Sequence, residues 1–327
     1  MNPAGLSCYL IVQDLHWIRI KQGVYDPALD TDHAENSWSR IEYGSRRKRM
    51  TPHWIRIMQE MDSSVFGTDH AGNAWDLTCI RQRVYMAEEQ NIYPFDSRVR
   101  YSEVGEDFRL TPGALIDYFQ DCSTLHAEDR GVGVRYLKER GQAWITVSWQ
   151  ICITRMPELG EQIRTKTWAF NFRDFYGKRN YLLEDGAGAE CVRAMGLWVL
   201  MDMKKGVPVR IPEDMIRVYG TEPRLEMEQV SRKIRMPSEN VTPEEPFHVG
   251  RQHLDTNHHV NNAQYISMAA DYLPGDFRIG EIRAEYRQQA KLGDLICPHI
   301  AGTQNGYVLS LDNEEGRSYA VISFSAR

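Results

Sequence analysis

The sequence predicts an α+β fold built from two copies of one unit, each a long helix wrapped by a curved antiparallel sheet. Two observations support this prediction. A strand, an amphipathic helix and four further strands follow one another twice along the chain, and apolar positions repeat between the copies at constant offsets. The connections between successive strands are too short for the crossovers of a parallel sheet, so the strands are expected to pair antiparallel.

The first copy begins near Tyr93, with a strand predicted at residues 97–101. Thr111 and Pro112 then open the predicted helix. Apolar residues follow at spacings of three and four, which predicts one buried helix face. This apolar stripe consists of Ala114, Leu115, Tyr118, Phe119, Cys122 and Leu125. The four strands that follow are predicted at residues 143–153, 162–172, 179–184 and 191–201.

The second copy begins near Phe247 and repeats this order. Its helix is predicted at residues 262–273, and its strands at 279–287, 295–302, 307–311 and 318–325. At an offset of 150, Val104 matches Leu254 and Leu110 matches Val260. At an offset of 133, a Leu-Gly-acidic turn at residues 159–161 recurs at residues 292–294.

A helix wrapped by a curved antiparallel sheet is the hotdog unit. One such unit alone leaves a strand edge and a sheet face uncovered, so hotdog units pair. A duplicated chain can pair with itself, and the predicted body is therefore a tandem (double) hotdog. We assign residues 93–205 to the N-terminal hotdog, residues 246–327 to the C-terminal hotdog, and the proline-rich segment 206–245 to a linker across the surface.

Residues 1–85 differ from the rest of the chain. The pentapeptide HWIRI at residues 16–20 recurs at residues 53–57 and belongs to a 37-residue repeat that occurs twice. Two copies are too few for a stable solenoid, and the hydrophobic periodicity is weak. We therefore expect a poorly packed arm, or the product of a start codon assigned too early.

Composition restricts the class of protein. The chain has 327 residues, of which 42% are hydrophobic and 26% charged, as is typical of globular proteins. No segment is suited to membrane insertion and no export signal is visible, so a cytoplasmic location is expected. The net charge of -6 argues against nucleic-acid binding. The six cysteines form no CxxC pair, and neither a metal nor a cofactor is predicted.

The two copies differ most in the loop before the helix. In the second copy this loop reads LDTNHHVNN and carries Asp255, Asn257 and His259, where the first copy has glycine, aspartate and arginine. The second copy therefore carries the polar chemistry. Asp and Asn are also common turn and cap residues, and for Asn261 and Asn262 a capping role is as well supported as a chemical one.

These residue types can together direct water against a carbonyl group such as that of a thioester. His259 can accept a proton from water near neutral pH. Asp255 can orient the imidazole or the water, or can attack as a nucleophile. Asn257 can donate to the carbonyl oxygen, and Asn262 lies where the free N–H groups of a helix start can hold an oxyanion. A metal site on the neighbouring histidines is disfavoured, because no carboxylate or cysteine stands at ligand spacing.

Residues 254–266 resemble the DxNxHVNNxxYI signature of plant and bacterial acyl-ACP thioesterases. The first copy adds VRYSEV at 99–104, LTP at 110–112, YFQD at 118–121 and LHA at 125–127, which are similar to the bacterial branch. The resemblance covers residues 93–327. It implies a double hotdog that hydrolyses fatty acyl-ACP in fatty acid biosynthesis, with catalysis by Asp255, Asn257 and His259.

One position departs from the family pattern. After the segment Glu285-Tyr286-Arg287 the family often places a glutamate, followed in plant members by a cysteine, whereas this chain has Gln289 and Ala290. A cysteine nucleophile is therefore excluded at this position, and Gln289 can orient a group but cannot accept its proton. Glu285 could supply the base, although an ion pair with a nearby arginine is the more common role.

The resemblance further implies that acyl carrier protein is the partner and presents the acyl group on phosphopantetheine, with no cofactor. Because this partner is acidic, basic residues should receive it. The candidates are Arg283, Arg287, Lys291, the pair Lys204-Lys205 and the pair Arg232-Lys233. The N-terminal hotdog is expected to form the acyl pocket, with Met195, Met201 and Met203 as its lining.

The sequence leaves alternatives open. One is an acyl-CoA thioesterase, and another is a catalytically weak acyl-binding hotdog protein. A hydratase of the same fold is disfavoured, because such enzymes pair aspartate with a histidine five residues on, whereas Asp255 and His259 are four apart. Formation of a homodimer is also left open.

Overall fold

The computed structural model describes residues 91–327 and five strand segments of the N-terminal arm. The chain divides into two units, residues 1–85 and residues 86–327. In the first unit, β1 (Ser7–Val12), β2 (His16–Lys21) and β3 (Arg40–Ser45) form an antiparallel sheet, and β4 (Gly67–Thr68) pairs with β5 (Ala74–Trp75). The second copy of the HWIRI motif and the packing of the arm lie outside the described residues.

The N-terminal hotdog contains one long helix and five strands. Its elements are β6 (Tyr93–Arg98), α1 (Pro112–Asp129), α2 (Val134–Glu139), β7 (Gln142–Ile153), β8 (Gln162–Arg173), β9 (Tyr176–Asp185) and β10 (Glu190–Asp202). Helix α1 begins where predicted, because the Thr111 side chain accepts a hydrogen bond from the amide of Ala114. The predicted apolar stripe is buried except at its ends, where Leu125 is 38% exposed and Ala114 is half-buried. The first strand, predicted at residues 97–101, lies earlier in the chain as β6, and Tyr101 already starts a 3-10 turn.

The segment after β10 contains β11 (Val207–Pro208), α3 (Glu213–Tyr219) and β12 (Val241–Pro243). The C-terminal hotdog then consists of β13 (Phe247–His248), α4 (Asn262–Ala270), β14 (Ile279–Tyr286), β15 (Leu295–Thr303), β16 (Gly306–Asp312) and β17 (Ser318–Ala326). None of the helices in the described segments is both long and apolar enough to cross a membrane.

The two hotdogs join into one continuous antiparallel sheet. Its strand order is β6-β8-β9-β10-β7-β14-β17-β16-β15-β12, with β13 also paired to β15. The order within one half mirrors the order within the other, so the two halves are related by a pseudo-twofold axis between β7 and β14. Gln150 stands opposite Arg283, which is its equivalent at the offset of 133. The prediction of an α+β double hotdog is confirmed.

The two central helices cross at close range on the inner side of this sheet. An added Cβ at Gly113 of α1 would lie 2.0 Å from Ser267 Oγ of α4, so this hydroxyl would have to rotate away if position 113 carried a side chain. Ile282 and Ala284 of β14 pack in the same core as these helices. The inner face of β14 is therefore the face of Ile282 and Ala284, and Glu285 points to the other side.

Residues 223–234 of the linker cross the outer face of the sheet. Six side chains of the sheet donate hydrogen bonds to backbone carbonyls of this segment: Trp168, Asn180, Arg193, Gln150, Arg283 and Arg287. These donors stand on β8, β9, β10, β7 and β14, which is their spatial order in the sheet. The linker therefore passes over one strand after another and crosses the junction of the two hotdogs.

Substitution of Gly196 by alanine tests the packing under α1. The added Cβ would lie 2.9 Å from Trp198 Nε1 and 3.0 Å from Trp149 Cζ3, so the indole rings must shift. We expect Gly196→Ala to lower the free energy of unfolding by roughly 1–3 kcal/mol. Gly302→Ala is the matched control, because its Cβ would meet nothing within 4 Å, and it should stay within about 0.5 kcal/mol of the parent. Urea denaturation measures both, and equal stabilities would contradict the tight packing.

Candidate active site

The loop between β13 and α4 has the same backbone as its counterpart in the N-terminal hotdog. The amide of Asp255 donates to the carbonyl of His259 over 2.8 Å, and the equivalent bond from Gly105 to Arg109 is 3.0 Å. The left-handed residue of the turn is His258 in one copy, with φ 63°, and Phe108 in the other, with φ 59°. The match at an offset of 150 is confirmed, and the two loops differ only in their side chains.

Asp255 holds the loop closed. Its Oδ1 accepts hydrogen bonds from the amides of Asn257, at 2.8 Å, and His259, at 3.1 Å. Its Oδ2 has one long contact, 3.4 Å to Asn257 Nδ2. One carboxylate oxygen therefore shapes the turn, and the other stays available for chemistry. The glycine at the equivalent position of the first copy can do neither.

His259 is half-buried beside Lys291, with which its backbone forms a bridge. Of the roles proposed for Asp255, orientation of the imidazole is not seen among the described residues, because Oδ1 accepts from the backbone amide of His259 and Nδ1 of the ring has no partner. Nδ1 of the ring is buried and has no hydrogen-bond partner in the described part of the chain. The Nδ1 atom of this imidazole is therefore not committed to a structural hydrogen bond within the described residues.

The start of α4 supplies a backbone donor. The side-chain oxygen of Asn261 caps the helix by accepting from the amide of Ala263 at 2.9 Å. The backbone carbonyl of Asn261 accepts from the amide of Gln264 at 3.0 Å. The amide N–H of Asn262 has no partner within residues 91–327, which suits it to hold a developing negative charge. Asn261 is thus the cap, and Asn262 is the donor at the helix start.

Gln289 is exposed and flanks the loop. Its neighbour Ala290 is fully buried and holds the loop through its carbonyl, which accepts from the amide of Val260 at 3.0 Å. The amide of Ala290 donates to the hydroxyl of Tyr265 at 2.9 Å. Burial raises the pKa of this hydroxyl, so it stays neutral and keeps this role. Tyr265 is a supporting residue that the sequence showed only as part of the signature.

Glu285 lies on the outer face of β14, away from the loop. Its Oε2 accepts from the amide of Ile234 in the linker at 3.0 Å and pairs with Arg287 at 2.9 Å. The next residue, Tyr286, points inward and donates its hydroxyl to the carbonyl of Asn262 at 3.0 Å. The pair with Arg287 is the ion-pair role that the sequence favoured for Glu285, and strand alternation turns its side chain to the face opposite Tyr286.

Two of the basic candidates for partner binding are also committed on this outer face. Arg283 and Arg287 donate to carbonyls of the linker. They bind the linker through their guanidinium groups, although Arg287 is still exposed. Lys291, Lys204, Lys205, Arg232 and Lys233 remain exposed.

The three methionines do not line an inner pocket. Met195 alternates with the buried Ala194, Met201 alternates with the buried Leu200, and Met203 is 40% exposed in the turn after β10. The inner face of the N-terminal hotdog instead carries an aromatic cluster under α1. It consists of Phe119, Trp149, Tyr181 and Trp198, with ring centroids 4.8 to 6.1 Å apart for neighbouring pairs.

Three of the described cysteines, Cys122, Cys152 and Cys191, are not suited to thiol chemistry. Burial raises the pKa of Cys122 to about 12 and that of Cys191 to about 11, and it also raises the pKa of Cys152. Such thiols stay protonated near neutral pH and are poor nucleophiles.

Substitution of Glu285 tests its structural role. Glu285→Ala removes the acceptor and leaves the buried amide of Ile234 unsatisfied, which should lower the free energy of unfolding by roughly 1–3 kcal/mol. Glu285→Gln keeps an acceptor and should cost less. Glu239→Gln, on an exposed linker carboxylate, is the control and should leave the unfolding midpoint unchanged. An alanine variant as stable as the parent would show that the linker does not depend on this contact.

Comparison with known proteins gives one consistent result. A solved acyl-ACP thioesterase of Bacteroides thetaiotaomicron has the same fold, with a TM-score of 0.68 and 22% identity over 73% of this chain and 99% of that one. The 12:0-ACP thioesterase of Umbellularia californica superposes with a TM-score of 0.64 and 17% identity over 72% of this chain and 97% of that one.

Sequence relatives agree with these structures. Oleoyl-acyl carrier protein thioesterase 1 of Arabidopsis thaliana is 24% identical over 218 residues, which cover 61% of this chain and 60% of the relative. An acyl-[acyl-carrier-protein] hydrolase of Cuphea viscosissima is 22% identical over 58% of this chain and 50% of its own length. The chain thus spans 50–60% of these relatives. The family model of the acyl-ACP thioesterase N-terminal domain matches residues 90–219, and that of the C-terminal domain matches residues 237–324. The chain belongs to the acyl-ACP thioesterase family.

Proposed function

We propose that this protein hydrolyses the thioester of fatty acyl-ACP and releases free fatty acid and holo-ACP. The observation that carries the proposal is the loop at residues 254–262. Three groups lie within eight positions of this loop. They are the imidazole of His259, whose Nδ1 has no partner in the described residues, the carboxylate of Asp255, whose Oδ2 has only one long contact, and the unpaired amide N–H of Asn262. The equivalent loop of the N-terminal hotdog has the same backbone but lacks the histidine and this aspartate. Membership of the family supports the same reaction.

The reaction needs a base, a carbonyl anchor and stabilisation of the oxyanion. The imidazole of His259 takes a proton from water as the water oxygen attacks the carbonyl carbon. The side-chain amide of Asn257 and the backbone N–H of Asn262 donate to the carbonyl oxygen as it becomes negative. The C–S bond then breaks, and the departing thiolate recovers the proton from His259.

Asp255 has two tasks in this proposal. Oδ1 keeps the amides of Asn257 and His259 in place, so both side chains leave the turn in fixed directions. Oδ2 can orient the attacking water or attack the thioester itself. Gln289 lies beside the loop and can only orient a group, so in this chain the proton must pass to His259 or Asp255.

Acyl carrier protein is the proposed partner, with the acyl group presented on phosphopantetheine. Lys291 supports docking near the loop, since its backbone bridges to His259 and its side chain is exposed. We propose that the acyl chain binds in the N-terminal hotdog near the aromatic cluster, where these side chains would have to move apart to admit it. A cytoplasmic location and a homodimer stay predictions.

Single substitutions in the loop should separate chemistry from folding. We expect His259→Ala to lower kcat at least ~100-fold, because a positioned general base contributes about that much or more. Asp255→Asn keeps an oxygen for the two amides and should stay folded, yet it should lose activity to a similar extent. Asp107→Asn at the equivalent of Asn257 in the first copy is the matched control and should retain full activity. Release of fatty acid from palmitoyl-ACP measures the outcome, and an active His259→Ala variant would exclude the histidine as base.

The carrier specificity can be tested with two substrates that share one acyl chain. We expect a higher kcat/KM for palmitoyl-ACP than for palmitoyl-CoA, because only the former brings an acidic protein surface to Lys291. Lys291→Glu should weaken use of the ACP substrate and leave the CoA substrate nearly unaffected. A preference for palmitoyl-CoA would make the protein an acyl-CoA thioesterase. Binding of palmitoyl-ACP without hydrolysis would make it an acyl-binding protein.

A further inference from the structure

Gln120 of α1 reaches across from the N-terminal hotdog to the loop of the C-terminal one. Its Nε2 donates to the side-chain oxygen of Asn261 at 3.1 Å. Within residues 91–327, this is the one hydrogen bond between α1 and the loop at residues 254–262. The bond is within reach because the two helices approach each other closely at Gly113 and Ser267.

The acceptor residue, Asn261, is also held by hydrogen bonds within its own hotdog. The oxygen of Asn261 accepts from the amide of Ala263, and the amide of Asn261 donates to the carbonyl of His253 at 2.9 Å. Gln120 is therefore a second donor to the same oxygen. Two donors from different directions hold the cap in one rotamer, and the unpaired N–H of Asn262 follows directly after it.

The first copy has no such bond. Its cap, Thr111, accepts from Ala114 and donates to the carbonyl of Glu103, both within the N-terminal hotdog. The pseudo-twofold equivalent of Gln120 at the offset of 150 is Ala270, which has no side-chain donor. The C-terminal hotdog therefore has no counterpart of the Gln120 donor. The cross-helix bond occurs only where the loop carries the polar chemistry.

We infer that Gln120 is a positioning residue for the proposed hydrolysis, contributed by the hotdog whose own loop lacks the histidine and the aspartate. It acts through Asn261 and keeps the helix-start N–H of Asn262 aimed at the developing oxyanion. This inference rests on the proposed function. Loss of the bond should affect the transition state more than substrate binding, because the acyl group and its carrier meet other surfaces.

The test uses the full chain and palmitoyl-ACP. In Gln120→Leu, which keeps the size of the side chain and removes the donor, we expect kcat to fall roughly tenfold, since small misplacements of a site cost one to two orders of magnitude. KM should stay within about twofold of the parent, as expected for an interaction made mainly in the transition state. Thr124→Val, one turn further along the exposed side of α1, is the matched control and should change neither constant.

A pH profile of Gln120→Glu separates positioning from packing. A carboxylate facing the oxygen of Asn261 cannot donate, whereas the protonated acid can, so the kcat of this variant relative to the parent should rise as pH falls from about 8 to 5. The ratio for Gln120→Leu should stay flat over the same range. If Gln120 served packing alone, the kcat relative to the parent would be independent of pH for both Gln120→Glu and Gln120→Leu.

A second route removes the acceptor without removing the cap. Asn261→Ser still caps the helix but is too short to reach Gln120. Its effect on kcat and that of Gln120→Leu should not add in the double variant, because both break the same bond. An active parent with an unchanged kcat in Gln120→Leu would overturn the inference alone. A parent inactive on palmitoyl-ACP and palmitoyl-CoA would overturn the proposed function and this inference with it.

Discussion

The antiparallel pairing of β7 with β14 is the constraint on which the rest of this structure depends. It joins the two sheets edge to edge, so that neither hotdog leaves an unpaired strand edge at the junction. The register is fixed by symmetry as well as by hydrogen bonds, because Gln150 faces its own equivalent, Arg283. A shift by one residue would turn every inward side chain of β14 outward. The positions of both helices, and thus of both loops, follow from this register.

Duplication within one chain allowed the two loops to diverge while their backbones stayed the same. In the C-terminal hotdog the turn carries Asp255, Asn257 and His259. In the N-terminal hotdog the position of Asn257 is occupied by Asp107, which pairs with Arg278 of the other half at 3.3 Å. This loop therefore contributes one exposed ion pair between the halves. A symmetric dimer of identical units could not divide the tasks in this way, because each loop would have to perform both.

The sequence predicts the fold well, because periodicity, caps and turns all act locally. Helix α1, the long strands and the two offsets are visible in apolar spacing alone, and Asp255, Asn257 and His259 stand out against the other copy. Several differences between prediction and structure share one cause. Strand alternation predicts that Glu285 and Tyr286 point to opposite faces of the sheet. It does not predict which face is the inner one, because both faces of this sheet are covered. Met195 and Arg283 were misplaced for the same reason. The missing bond between Asp255 and the imidazole has a different origin, since nearby backbone amides compete for an aspartate in a turn.

The linker explains why the outer face is hard to recognise from sequence. It must lead from β10 in one hotdog to β13 beyond the far strands of the other, and it takes the path across the sheet instead of around its edge. Its backbone carbonyls need donors along this path, and the sheet supplies them from Asn, Gln, Trp and Arg side chains. Polar side chains on these strands, such as the buried Asn180 and Gln150, are therefore partners of a crossing chain. Because the crossing includes β7 and β14, the linker bonds to both sides of the junction, so separation of the hotdogs would break these bonds together with the strand pairing. The junction that positions Gln120 against Asn261 is held from both faces of the sheet.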